Sequence, residues 1–275
     1  MRALIYISLI TFIILSCKKK EFVIDNLNGG EIEILGHGGS GIADLYPIDT
    51  KESVFNCLNL GADGSEMDVQ LTKDNVLVLF HGEDLSANTN MSGKIRDHTF
   101  EELKDVEYTS TPYAAQGIPS LEEILTEVPL EKGYKFSFDI KLLTGSNEAT
   151  IDYRDDFAEA IKGLFQQYEL YNIAYVEIQT PSFIELLQQV DPAIRIFFFP
   201  QDFDYGFQVA QNLGLYGLSM STKAISGSQV KEAHDAGMRV IIWNVKSKSE
   251  HDEAILKNPD IVESDNLTYL IDLLQ

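Results

Sequence analysis

The feature that most constrains the fold is a regular alternation of short β-rich runs with segments of helical periodicity, which starts at Glu31. No Gly/Ser/Pro-rich linker or charge block interrupts it. Such alternation predicts a parallel sheet whose strands are connected by helices. The candidate strands cover residues 32–37, 65–71, 135–140, 175–179, 195–199, 218–220, 239–244 and 261–262. The candidate helices cover residues 51–60, 155–167, 182–189, 205–212, 229–236 and 250–256.

Eight strands with helices between most of them predict an α/β protein of the TIM (β/α)8 barrel type. An open doubly wound sheet is the alternative, but no G-x-G-x-x-G opens a helix after the first strand. The interval of about 82–120 is too long for a βα loop, so we expect a small insertion after the second-strand hairpin. Loops at the carboxyl ends of barrel strands build active sites, which makes this insertion a candidate lid or wall.

The chain is strongly acidic, because its 275 residues include 43 Asp and Glu against 21 Lys and Arg, a formal net charge of −22. A partner held by neutralised backbone phosphates needs a basic surface, so the charge argues against nucleic-acid binding. A hydrophobic fraction of 44% is that of a globular protein with a buried core. Two cysteines are too few for a disulfide framework.

The N-terminal residues predict a targeting signal. Residues 1–16 have the short basic start and apolar run of a secretory signal, and the run is shorter than a membrane-spanning helix. The sequence I-L-S-C ending at Cys17 resembles the lipobox of bacterial lipoproteins, which implies lipidation of Cys17 and a chain anchored to a membrane in the cell envelope, periplasmic or at the outer surface. Residues 17–30 then form a tether and residues 31–275 the barrel domain. Cys57 is left as a buried structural thiol.

One stretch brings titratable groups together. Residues 64–81 are predicted to form a hairpin, and a two-residue turn at 74–75 places Asp68 opposite His81. Glu66 lies on the same face as Asp68. An isolated E-x-D at a strand end is more often a solvated polar edge. The imidazole beside the two carboxylates favours a site instead.

Neighbouring strands add further groups to the same barrel mouth. His37 ends the first strand among glycines, and Asp139 and Lys141 end the strand after the hairpin. Glu66, Asp68 and Asp139 supply oxygen ligands, which suit Mg²⁺ or Ca²⁺. Lys141 is placed to neutralise an anionic substrate. The alternative is that Asp139 and Lys141 merely pair with each other.

These residues resemble the glycerophosphodiester phosphodiesterase family. The similarity runs from about Ile34 to Asp265. Each motif alone is weak evidence, and it is the order and spacing of the motifs together that are specific to the family. The matching segments are His37-Gly38-Gly39, residues 61–74, Phe80-His81, the I-P-x-L-x-E-x-L-like segment 118–125, Asp139-Ile140-Lys141, residues 242–245 and residues 261–265.

The resemblance implies a TIM barrel in which His37 and His81 are the general acid and base, with a divalent cation held by three carboxylates. In the family, the glycerol hydroxyl beside the diester attacks phosphorus, and the cyclic phosphate that forms is then hydrolysed to sn-glycerol 3-phosphate. Lys141 would neutralise the phosphate, and Trp243 would form an apolar wall for the glycerol or the leaving alcohol. The alternative for Trp243 is plain core packing. The oligomeric state cannot be read from the sequence.

The chain departs from the family pattern at three places. Gly38 stands where H-R-G has arginine, so a phosphate-binding guanidinium is missing. Pro47-Ile48-Asp49-Thr50 replaces P-E-N-T, and Asp139 stands where Glu is usual. These departures imply an unusual substrate or impaired activity.

Three other functions remain as alternatives. A sphingomyelinase D-like phospholipase uses a similar site, and an exposed aromatic loop formed by Phe100, Tyr108 and Tyr113 would favour it. A lipoprotein that binds a phosphorylated ligand without turnover is the second alternative. A paired-carboxylate glycosidase is the third, and it leaves His37 and His81 without a role.

Overall fold

The computed structural model of the chain describes residues 22–42, 45–109, 116–142 and 151–275. The predicted signal segment, Cys17 and Tyr113 lie outside these ranges. Within them, every helix is too short or too polar to cross a bilayer. The strands are β1 (Glu33–Gly36), β2 (Gly64–Leu71), β3 (Leu77–Leu79), β4 (Lys135–Ile140), β5 (Ala174–Ile178), β6 (Ile196–Phe198), β7 (Gly217–Ser221), β8 (Arg239–Val245) and β9 (Ile261–Ser264). The helices are α1 (Lys51–Leu60), α2 (Phe100–Leu103), α3 (Leu121–Glu127), α4 (Ile151–Gln167), α5 (Pro181–Val190), α6 (Phe203–Leu213), α7 (Gly227–Asp235), α8 (Lys248–Leu256) and α9 (Leu267–Leu274).

Eight parallel strands close into a barrel, with β3 added outside the ring. The strand β1 pairs with both β2 and β9, and the other neighbours follow the order β9, β8, β7, β6, β5, β4, β2. The large hydrophobic core lies between these strands and the surrounding helices. The prediction of a TIM barrel is confirmed, and each predicted strand is found with ends within two residues of those expected. Cys57 is fully buried on α1, as expected.

The periodicity did not predict α3 and α9. A signal for α3 was present, because Ser120 caps the backbone N–H of Glu123 and the Glu123 carboxylate accepts from the backbone N–H of Ser120. This reciprocal capping box has the pattern S-x-x-E. The helix α9 has no side-chain cap and packs its apolar residues beside β1.

The hairpin prediction is wrong by one residue. Asp68 is opposite Phe80, not His81, because the backbone N–H of Phe80 donates to the carbonyl of Asp68 and Val69 pairs with Leu79. The loop has three residues and ends with Asn75 in the left-handed region at φ 62°. The shift turns Phe80 away from the large core and into the insertion.

The insertion after β3 folds around its own small core. Phe80 and Tyr108 are buried there, with their ring centroids 6.2 Å apart, and Phe100 is half-buried against the same cluster. Two of the three aromatic residues considered for contact with an intact lipid are therefore interior residues. The described part of the insertion does not favour the sphingomyelinase D-like alternative.

Residues 22–30, the second half of the predicted tether, lie against the barrel base, where the strands begin. The backbone N–H of Leu27 donates to Asp260 Oδ1 at 2.8 Å, and Asn26 Nδ2 donates to the carbonyl of Pro259 at 2.8 Å. Phe22 and Ile24 pack against the main core. This part of the chain belongs to the folded body.

The strand registers place inward-facing residues in layers of four from alternate strands, as in other barrels of this type. One layer is apolar except for a serine, and it contains Leu35, Ser137, Phe197 and Ile241. The layer above it is wholly polar and contains Glu66, Glu177, Ser219 and Glu263. The next layer, at the mouth, contains His37, Asp139, Phe199 and Trp243.

Candidate active site

Three carboxylates meet at the mouth of the barrel. Glu66 and Asp68 project inward from β2 and Asp139 from the adjacent β4, and one oxygen of each lies within 4.8 Å of the other two. All three side chains are buried. The structure therefore brings together the three residues that the sequence predicted as metal ligands.

Lys141 is the cation beside this group. Its Nζ lies 2.8 Å from Asp68 Oδ1 and also contacts Asp139 Oδ2. Burial disfavours its charge, but these two carboxylates outweigh burial and raise the pKa of Lys141. Lys141 is thus a fixed positive charge that pairs with two of the three carboxylates, not with Asp139 alone.

The protonation of the three carboxylates differs. Burial raises the pKa of Asp68, but Lys141, a hydrogen bond with Asp49 and the nearby His81 outweigh burial and leave that pKa below its usual value. Burial, followed by the charges of Asp68 and Glu177, raises the pKa of Glu66 well above its usual value. Burial is also the largest cause that raises the pKa of Asp139, to about 7. The three carboxylates therefore differ in proton affinity, and Asp68 is the most acidic of them.

His37 is held by a carboxylate that the sequence analysis assigned no role. Asp265 follows β9, and its Oδ1 lies 2.9 Å from His37 Nδ1, while His37 Nε2 lies 4.0 Å from Glu66 Oε2. Burial disfavours the imidazolium, but the hydrogen bond and charge of Asp265 outweigh it and raise the pKa of His37. This contact fixes the ring with Nε2 toward the carboxylates.

His81 follows the hairpin and is exposed. It lies near enough to Asp68 for its charge to lower the pKa of that carboxyl. The two histidines therefore differ in their surroundings, since the ring of His37 is held by a hydrogen bond with Asp265 and the side chain of His81 is exposed to solvent. An exposed imidazole can exchange protons directly with water.

Asp49 is a second residue whose role became visible only in the structure. It is fully buried at φ 61°, and its Oδ1 accepts from the backbone N–H of Asp68 at 2.9 Å. Burial and the charges of Asp68 and Glu66 raise the pKa of Asp49 well above its usual value. A neutral Asp49 accepts at one oxygen and donates from the other to Asp68, as an asparagine amide would.

We expect Asp49→Asn to stabilise the chelator-treated chain relative to wild type, and to do so more as the pH rises. The folded state holds the Asp49 proton more tightly than the unfolded state does. The contribution of this proton to the free energy of unfolding is therefore complete below the usual pKa of 3.8, and it is lost as the pH rises toward the pKa of Asp49 in the folded state. The amide keeps both hydrogen bonds at every pH. Thermal unfolding at about pH 5 and about pH 8 measures the difference.

Asp49→Ala is the control, because it removes both hydrogen bonds without regard to pH. It should lower the melting temperature at both pH values. Equal losses in Asp49→Asn and Asp49→Ala would contradict a neutral, amide-like Asp49.

The missing arginine has a steric reason. Gly38 has φ +60°, and a Cβ at this position would lie 2.6 Å from the Cβ of Ile48. A side chain at residue 38 would therefore require the backbone around residues 38 and 48 to shift, because the Cβ at residue 48 is present in every residue except glycine. The backbone N–H of Gly38 instead donates to Glu66 Oε2 at 2.7 Å.

Trp243 lies in the mouth layer on β8, which is separated by β9 from β1, the strand that leads to His37. Its ring contacts Phe199, with centroids 4.8 Å apart, and it is half-buried. The two rings form an apolar wall that faces the charged side of the mouth. The contact with Phe199 is packing, and the role of Trp243 as a wall for the glycerol or the leaving alcohol stays a prediction.

The carboxylate group fits a hard divalent cation. Asp139 Oδ1 is buried and has no hydrogen-bond partner among the described residues. Three carboxylate oxygens within reach of one another are the ligands that Mg²⁺ and Ca²⁺ prefer. The shorter Asp139, where glutamate was expected, still reaches the group.

Comparison with known proteins agrees with this geometry. Residues 40–267 match the Glycerophosphoryl diester phosphodiesterase family. The chain belongs to this family. Its fold, its order of motifs and its three mouth carboxylates are those that the resemblance implied. The family assignment from the sequence is thus confirmed.

Individual members of the family are similar at low to moderate identity. A Glycerophosphodiester phosphodiesterase of Caldanaerobacter subterraneus subsp. tengcongensis is 27% identical over 253 residues, 88% of this chain and 97% of that protein. One from Bacillus altitudinis is 39% identical over 104 residues, 37% of this chain and only 42% of that protein.

Solved structures share the fold. An Oleispira antarctica phosphodiesterase in complex with the product sn-glycerol-3-phosphate has a TM-score of 0.76 and 20% identity, covering 88% of this chain and 96% of that one. A glycerophosphodiester phosphodiesterase from Parabacteroides distasonis has a TM-score of 0.74 and 22% identity, covering 88% and 96%.

Proposed function

We propose that the chain hydrolyses glycerophosphodiesters to sn-glycerol 3-phosphate and an alcohol, with His37 and His81 as the acid and base. The observation that carries the proposal is the convergence of His37, Lys141 and three carboxylates at one barrel mouth. Family membership and the product complex of the Oleispira antarctica protein support the same reaction class.

The residues divide the chemistry between them. One histidine takes the proton of the glycerol hydroxyl that attacks phosphorus, and the other protonates the departing alcohol oxygen. Water then opens the cyclic phosphate with the two roles exchanged. Lys141 neutralises phosphoryl oxygens, and the Phe199–Trp243 wall excludes water from one side.

Glu66, Asp68 and Asp139 would hold Mg²⁺ or Ca²⁺. The cation supplies a Lewis acid that stabilises negative charge on the phosphoryl oxygens. Because the pKa values of Glu66 and Asp139 are raised when no cation is bound, cation binding is expected to release protons to the buffer. Binding enthalpies measured in buffers of different ionisation heat detect that release.

Activity should depend on the cation. We expect the purified full-length chain to release sn-glycerol 3-phosphate from glycerophosphocholine with Mg²⁺ or Ca²⁺, and chelation to lower the rate by about 100-fold or more, since a Lewis acid is worth several kcal/mol. Release is measured by a coupled enzymatic assay. Cation-dependent thermal stabilisation by the diester without turnover would instead support the binding lipoprotein.

We further propose that the chain is a lipoprotein of the cell envelope, anchored through Cys17. The I-L-S-C sequence after an apolar run supports this location. Expressed in bacteria, the wild-type chain should incorporate labelled palmitate and sediment with membranes, and Cys17→Ser should do neither. Label in both chains, or in neither, would contradict the anchor.

A further inference from the structure

The exposed histidine of the proposed acid–base pair has no side-chain contact that holds it. His81 forms no hydrogen bond or ion pair with any residue that the structure describes. The ring of His37, by contrast, is held at Nδ1 by Asp265. A proton-transfer group has to stay within hydrogen-bond reach of the atom it serves. The position of the His81 imidazole therefore depends on the backbone that carries it.

This backbone has left the regular hairpin ladder. Phe80 and Asp68 face each other, but only one of the two hydrogen bonds of such an antiparallel pair is formed. The backbone N–H of Phe80 donates to the carbonyl of Asp68 at 3.0 Å, whereas the N–H of Asp68 donates to Asp49 Oδ1 and not to Phe80. In the described part of the chain, His81 and Gly82 make no hydrogen bond to another backbone group. Other contacts must hold the chain here.

A buried glutamine side chain binds the backbone on both sides of His81. Gln70 lies two residues after Asp68 on the same face of β2, and it is 4% exposed. Its Nε2 donates to the carbonyl of Phe80 at 2.6 Å and to the carbonyl of Gly82 at 2.8 Å. Both hydrogens of the amide are therefore used, one on the residue before the histidine and one on the residue after it.

We propose that Gln70 is a positioning residue, which keeps the imidazole of His81 at the barrel mouth by holding the backbone on either side. The proposal rests on the proposed function, in which His81 transfers a proton. The ring of Phe80, buried in the core of the insertion, also anchors the chain before His81. Gly82 has no side chain, so the hydrogen bond from Gln70 is what holds the chain after it.

Gln70→Met tests the proposal, because methionine has a similar length but donates no hydrogen bond. We expect kcat for glycerophosphocholine to fall by about 10–100-fold, since a misplacement of about 1 Å can cost about that much. KM should stay within about threefold of wild type, because Lys141 and the cation ligands keep their contacts. Rates are measured on the full-length chain at saturating cation, and melting temperatures in chelator check that each chain is folded.

A double-mutant cycle with His81→Ala separates positioning from a general structural role. Where His81 is already replaced, Gln70→Met should lower kcat by less than about threefold, because no imidazole remains to be positioned. A residue that only supports the fold would lower kcat by the same factor in both backgrounds. Gln70→Glu replaces two amide donors by at most one, and it repeats the cycle if the methionine variant does not fold.

Gln188→Met is the matched control for the substitution. Gln188 lies in α5, and its Nε2 also donates to a backbone carbonyl, that of Leu213 at the end of α6, at 2.9 Å. The same two groups are lost far from the histidines. We expect kcat to stay within about threefold of wild type.

Equal losses in the two backgrounds of the cycle would overturn the proposal, and so would a kcat that Gln70→Met leaves unchanged while His81→Ala lowers it. Neither result affects the proposed function. If His81→Ala itself leaves kcat unchanged, the proposed function loses its second proton-transfer group, and the positioning role of Gln70 fails with it.

Discussion

His37→Ala is expected to lower kcat for glycerophosphocholine by about 10²–10⁴-fold, with a much smaller change in KM, because a positioned acid or base contributes about that much. The imidazole faces Glu66 with Nε2, and Asp265 holds it from the other side. Loss of the ring removes a proton-transfer group and leaves the carboxylates in place. Steady-state rates with saturating cation measure the effect.

The matched control is His98→Ala. His98 lies in the insertion, where its Nε2 contacts the carbonyl of Ser92. Its replacement should leave kcat within about threefold of wild type. Equal losses in both variants would show that the assay reports folding rather than proton transfer.

Asp265→Asn tests how His37 is tuned. The hydrogen bond and charge of Asp265 raise the pKa of His37 against the opposing effect of burial. Its removal should lower that pKa, so the limb of the pH–rate profile that belongs to His37 moves to lower pH whether the imidazole acts as acid or as base. A loss of rate with an unchanged profile would mean that Asp265 has only a structural role.

Gly64→Ala should have the largest effect on stability, a loss of about 3 kcal/mol or more, or no soluble protein. A Cβ at Gly64 would lie 1.7 Å from the carbonyl oxygen of Lys135 on the neighbouring strand. Two strands of a closed barrel cannot separate at one point without disturbing the ring. Chemical denaturation measures the change in the free energy of unfolding.

Gly163→Ala is the paired control for the same substitution. Gly163 is exposed in α4, and a Cβ there meets nothing within 4 Å. Alanine favours helix over glycine, so we expect a gain of about 0.5–1 kcal/mol. A loss in both chains would mean that the close approach of β2 and β4 is not what makes Gly64 necessary.

The barrel and most of its mouth were predictable from sequence because both follow from local patterns. The β/α alternation fixed the strand order, and inward-facing residues at strand ends indicated Glu66, Asp68 and Asp139. The hairpin register was not predictable, because Asp74-Asn75 suits either a two-residue turn or the end of a three-residue loop. That single residue moved His81 out of direct opposition to Asp68.

Roles that depend on distant contacts could not be read from sequence. Asp265 is 228 residues from His37 in the chain, and no local pattern connects them. The raised pKa of Asp49 results from its complete burial beside Asp68 and Glu66.

The attachment of residues 22–30 at the barrel base determines which end of the molecule faces away from an anchor. Asp260 precedes β9, whereas the active site follows the strand ends, so the two lie at opposite poles of the barrel. Phe22 lies five positions after Cys17, so the two are at most about 18 Å apart along an extended chain. With the proposed lipid anchor at Cys17, the mouth would face the aqueous compartment. This orientation suits water-soluble diesters that arrive by diffusion better than lipids within the supporting bilayer.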